Sequence, residues 1–86
     1  MEGIRWATSK SDELKRSRGI SFEEILAEEL VANVNHPARA HQNYLLFKIK
    51  DYIWAVPYVA DGDGIFLKTL FPSRKYTKLW KKGELT

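Results

Sequence analysis

The apolar residues of this chain keep two different periods, and the change falls at one place. Before His36-Pro37 they recur at helical intervals, and after it they alternate. Phe22, Ile25, Leu26 and Leu30 share one helical face, whereas Leu45, Phe47 and Ile49 alternate with Leu46, Lys48 and Lys50. A chain that is helical first and strand-forming afterwards predicts an α+β fold: two N-terminal helices packed on an antiparallel β-sheet meander, followed by a short C-terminal helix, with the helices on one face of the sheet. With 86 residues there is room for one domain, residues 1–86, and one core.

Local signals place the elements within that frame. Ile4-Arg5-Trp6 reads as a first strand or an anchor. Ser9 with Asp12 has the form of a capping box opening a helix to about Arg16, and Gly19 suits a left-handed stop. Ser21 with Glu24 is a second capping box, with Ile20 placed to staple onto Ile25, and its helix is expected to run to Val31 or Ala32. Lys50-Asp51 predicts a tight turn between strands at 45–49 and 52–56. Pro57 has no N–H and should mark a bulge or the unpaired end of the second strand. Asp61-Gly62-Asp63-Gly64 reads as a hairpin turn, residues 65–71 as the last strand, and Ser73 as the cap of a final helix with Tyr76, Leu79 and Trp80 on one face.

Composition removes several classes of function. A hydrophobic share of 44% with 13% aromatics is enough for a packed core, so wholesale disorder is excluded. There is no cysteine, hence no disulfide, thiol catalysis or thiolate-held metal. The apolar runs are far shorter than a membrane span, and Met1-Glu2-Gly3-Ile4-Arg5 lacks a signal-peptide pattern, so a cytoplasmic protein without membrane partners is expected. The net charge of +3 is unevenly distributed. Residues 1–30 hold five Lys/Arg against seven Asp/Glu, whereas residues 31–86 hold nine against four. Residues 73–82 carry Arg74, Lys75, Lys78, Lys81 and Lys82 and no acid, which points to a polyanionic or acidic partner.

Few constellations could carry chemistry. Counted as a calcium loop from Asp61, the positions that need glycine and glutamate hold Phe66 and Pro72, so the turn reading stands. His36 and His41 lack an evident third ligand for a metal, and could instead serve in proton transfer. No phosphate-cradling glycine loop or nucleophile elbow is present, and no cofactor or metal is expected. What remains is the basic end of the sheet: Lys68, then Arg74 and Lys75, with Tyr76 and Lys78 following. A guanidinium and one or two ammonium groups converging on a phosphodiester could stabilise the charge added in a transition state. RNA cleavage by attack of its own 2′-hydroxyl needs no metal. On this reading Arg74 and Lys68 stabilise charge and His36 or His41 moves the proton. Lys75 and Lys78 hold RNA, and Tyr76 or one of Tyr44, Tyr52 and Tyr58 stacks a base. The same residues also fit a solvated lysine-rich face over core tyrosines.

Ile4-Arg5-Trp6, then Lys10, then Arg18-Gly19-Ile20-Ser21-Phe22-Glu23-Glu24 resembles the opening of BrnT-type toxins, and Arg74 before a short closing helix resembles that family's Ser-Ala-Arg segment. The closest agreement is over residues 19–24. Two positions depart from the pattern: Ala7 stands where the family has aspartate, and Arg18 where it has histidine. The resemblance implies a RelE-like fold and a metal-independent endoribonuclease toxin. It also implies a cognate antitoxin, itself DNA-binding, that neutralises the toxin. A basic toxin surface would be covered by an acidic or amphipathic antitoxin segment. The alternative from a different class is a non-catalytic basic binding module of the same fold, engaging nucleic acid or an acidic protein.

Overall fold

In the computed structural model, which describes residues 3–35 and 42–85, nine elements follow in order. They are β1 (Ile4–Arg5), α1 (Thr8–Arg18), α2 (Phe22–Ile25), β2 (Glu29–Asn35), β3 (Gln42–Ile49), β4 (Tyr52–Asp61), β5 (Gly64–Leu67), β6 (Phe71–Pro72) and α3 (Arg74–Lys81). The sheet order is β1-β5-β4-β3-β2, with β6 also on β4. The expected α+β class and antiparallel meander are present from β2 to β5, and β1 adds a parallel pairing with β5 that makes the sheet mixed.

Both two-residue turns have a left-handed residue at their first position. Gly62, at φ +63°, turns β4 into β5 with Asp61 opposite Gly64, as expected of that motif. Lys50 does the same between β3 and β4 at φ 56° despite its side chain. Gly64 is required for another reason. A Cβ there would collide with the Gly3 carbonyl, and that carbonyl accepts the Ile65 N–H at 2.7 Å to begin the parallel β1–β5 pair. Arg5 then ties β1 to the hairpin, donating from Nε to Asp61 Oδ2 at 3.0 Å and from Nη2 to the Asp61 carbonyl at 2.6 Å.

Four expectations need correction. First, the second helix stops at Ile25, and residues 29–35 form a strand paired with β3. Its capping box is complete, yet pairing Ala32 and Val34 with Leu46 and Tyr44 outweighs the helical spacing of Leu30. Second, α1 starts one residue before Ser9: Ala7 is its N-cap, with no side-chain hydrogen bond. Third, β4 continues through Pro57. The Pro57 carbonyl accepts the Lys68 N–H at 2.8 Å, so its nitrogen faces the same way, into the seam between β5 and β6 where no ladder donor is lost. The expected last strand divides at that seam into β5 and β6.

Fourth, the helices lie on both faces of the sheet. Leu14 of α1, with Phe22 and Ile25 of α2, packs against Leu45, Phe47, Val56, Tyr58 and Leu67. Tyr76 of α3 packs on Leu46, Ile53 and Ala55 from the other side, with Leu79 and Trp80 beside it. Adjacent strand residues point to opposite faces, so a three-layer arrangement buries both sets of β3 and β4 side chains. Among the described residues, no helix is long and apolar enough to cross a membrane.

Candidate nucleic-acid interface

Ser73 starts α3 as expected, its Oγ accepting the Tyr76 N–H at 3.1 Å. The helix is then fastened to β4 through both backbone groups of Ile53. The Ile53 N–H donates to Thr77 Oγ1 at 2.9 Å, and the Ile53 carbonyl accepts the Ser73 N–H at 2.8 Å. Thr77 in turn donates its hydroxyl proton to the Ser73 carbonyl at 2.6 Å. These bonds fix the rotation of the helix. Tyr76 and Thr77 are buried, Leu79 and Trp80 half-buried, and Arg74, Lys75, Lys78, Lys81 and Lys82 exposed.

Arg74, Lys75, Lys78 and Lys82 line a shallow groove of ≈ 430 Å³ with Leu79. None of the five cations makes an ion pair among the described residues, whereas Arg5, Lys10 and Lys15 in the N-terminal part are each paired with a carboxylate. Arg74 and Lys75 also occupy the first turn of α3, where no acid is present. Positive charge there opposes the helix dipole and lowers stability. An arrangement that is locally unfavourable and unneutralised is what an anion-binding surface needs.

The other expected site residues are placed as follows. Tyr76 has 8% of its surface exposed, and its ring meets the Tyr44 ring edge-on at 6.0 Å, so it offers no face to a base. Burial, with Tyr44 adding, pushes the Tyr76 phenol above its ordinary range, so it stays protonated at neutral pH. Tyr58 is buried and donates its hydroxyl to Asn33 Oδ1 at 2.7 Å. Tyr44 also meets Phe71 edge-on, and Tyr52 is exposed on the opposite face, in the alternation of Trp54 and Val56. Lys68 follows β5 with its ammonium 5.8 Å from the centre of the Phe66 ring, and it is not among the residues lining the groove. His36 and His41 lie outside the described residues. Arg74, Lys75 and Lys78 are therefore brought together.

One basic residue that sequence reasoning left out of the site joins them in the groove, and another lies against α3 outside it. Lys82 continues the four-residue interval of Arg74 and Lys78, a spacing visible in the sequence. Lys48 projects from β3 toward α3, its ammonium 5.4 Å from the centre of the Trp80 ring. Its alternation with Phe47 was the available signal, once α3 is known to lie on that face. Among the described residues, no group of acids and histidines could hold a metal ion. A second concavity, of ≈ 320 Å³ on the other face, is walled by Leu26, Leu30, Phe47, Tyr58 and Ile65 with Glu28 at its side. Its polar content amounts to little beyond that carboxylate and the Tyr58–Asn33 hydrogen bond, so it offers no acid–base pair. Comparison with family models, with curated proteins and with solved structures finds no match to this chain.

Proposed function

We propose that the protein binds RNA through the exposed face of α3, as a basic binding module. The observation that carries this reading is the group of five cations on one short helix and its C-cap, none of them neutralised by a neighbouring carboxylate among the described residues. Guanidinium and ammonium groups not held by a carboxylate are available to phosphate oxygens. Lys75, whose ammonium lies 5.4 Å from the centre of the Tyr76 ring, keeps its charge unneutralised there. Among the described residues the groove is lined by four cations and Leu79, a lining suited to holding phosphates. The RelE-like architecture remains part of the proposal, resting on the N-terminal helices set against a meander.

The endoribonuclease-toxin reading has its own support in residues 19–24 and in Arg74 at the start of the closing helix. In that reading Arg74 stabilises the scissile phosphate, Lys68 and Lys75 position its neighbours, and His36 or His41 transfers the proton. A cognate antitoxin then covers the basic surface. One experiment separates the two: purified protein is incubated with RNA in excess EDTA, beside Arg74→Ala, with binding measured by fluorescence anisotropy. The binding module retains RNA intact, with affinity falling steeply as salt rises. Discrete products that diminish ~10²–10³-fold in rate in Arg74→Ala establish the nuclease instead. RNA neither bound nor cut at physiological salt removes both readings.

A further inference from the structure

We infer that α3 reads the backbone of double-stranded RNA and not its bases; this rests on the RNA-binding reading and names the form of RNA that the surface fits. Arg74, Lys78 and Lys82 recur every four residues, and Lys82 keeps right-handed helical geometry at the C-cap, donating its N–H to the Lys78 carbonyl at 3.1 Å. At the helical rise they stand about 6 Å apart along one stripe. That interval is close to the separation of successive phosphates on one strand. Lys75 stands beside the start of the stripe, in the same groove.

The aromatic residues near this stripe face inward. Tyr76 is buried, Tyr44 is half-buried with its ring set edge-on to Tyr76 and Phe71, and Trp80 is half-buried with the Lys48 ammonium over its ring. Tyr52, the one aromatic with substantial exposure among the described residues, is on the far face of the sheet. Single-strand binders draw much of their affinity from bases stacked on exposed rings, and that contribution is missing here. A duplex needs no stacking platform. It presents its phosphates already ordered at the spacing of the stripe, so a row of cations alone can hold it by shape and charge.

The test uses fluorescence anisotropy with the full chain and four probes: a 14-base-pair RNA duplex, a second duplex of shuffled sequence, and each of the two separated strands of the first. Titrations run from 50 to 200 mM salt, with Lys78→Gln in parallel and circular dichroism confirming that the variant is folded. The two duplexes should bind within about twofold of each other and at least about tenfold tighter than either strand. The slope of log affinity against log salt should be about −3 for three phosphates, and about one unit shallower in Lys78→Gln. Strands that bind as tightly as the duplexes, or duplexes that differ by tenfold or more, overturn the inference while leaving RNA binding in place. Failure of every probe to bind overturns the RNA-binding reading and this inference with it.

Discussion

Ala7 stands at the N-cap of α1 with extended backbone angles, φ −81° and ψ 125°, and contributes no side-chain acceptor. The position is already shaped for a capping residue. Ala7→Asp should therefore stabilise the fold by ~1 kcal/mol, with a carboxylate accepting an N–H in the first turn. For a domain of this size that is a rise in melting temperature of roughly 4–8 °C. An unchanged melting temperature would show that solvent already satisfies those donors equally well. At the start of α3 the opposite trade is expected. Lys75→Glu replaces a charge that opposes the helix dipole with one that complements it, a gain of about 0.3–1 kcal/mol. It should also weaken RNA binding, since it inverts a charge in the groove. A variant that melts higher and binds RNA less tightly would show that α3 sacrifices stability for its ligand. One that loses neither property would remove Lys75 from the surface.

The joint between α1 and α2 depends on one buried hydroxyl. Ser11 donates to Glu23 Oε1 at 2.6 Å and accepts the Phe22 N–H at 3.0 Å, while Lys15 reaches Glu24 across the same corner at 2.8 Å. Ser11→Ala leaves the Phe22 N–H buried and unpaired, so unfolding in urea should show a loss of about 1–3 kcal/mol at neutral pH. The Ser11 hydroxyl is also the main reason the Glu23 carboxyl is held below its usual range, and Lys15 does the same for Glu24. A lowered carboxylate contributes stability that is complete above its unfolded value and is lost as pH falls through its folded one. The wild type should therefore lose stability progressively below about pH 4.5, the ordinary value of these carboxyls, and Ser11→Ala should do so less steeply. Equal acid-side slopes would mean that Glu23 gains nothing from Ser11. This corner was legible in outline, because Ser21 and Glu24 announce their own capping box. The continuation was not. Leu30 extends the helical spacing of Phe22 and Ile25 by coincidence; only the β-branched Val31 and Val34 hinted at a strand, and the two asparagines spoke merely against a longer helix. The deciding interaction is the ladder to β3, which is long-range and carries no local signature.

Across the whole molecule, the three layers separate charge as well as apolar surface. The burial of both sheet faces was written in the sequence: residues 52–60 are apolar or aromatic without interruption, which suits a central strand covered on both sides. Which helix covered which face was not, since the reversal depends on β6 and Ser73 bringing α3 to the far side of β4. The consequence is electrostatic. The ion pairs Arg5–Asp61, Lys10–Glu13 and Lys15–Glu24 all lie outside α3, whose own cations face solvent and one another. Salt shortens the range of charge interactions to about 10 Å at 0.1 M and less above it, weakening the exposed pairs and the repulsion along α3 together. A comparison with Lys75→Gln/Lys78→Gln/Lys82→Gln cancels the pairs, which both proteins share. Raising salt from 50 to 500 mM should increase the melting temperature of the wild type more than that of the triple variant, while RNA affinity of the wild type falls over the same range. Opposite responses of stability and binding are what one set of mutually repelling, ligand-seeking charges must produce. If the two proteins gain equally, the charges of α3 do not repel one another measurably, and its first turn has lost less stability to its cations than their placement implies.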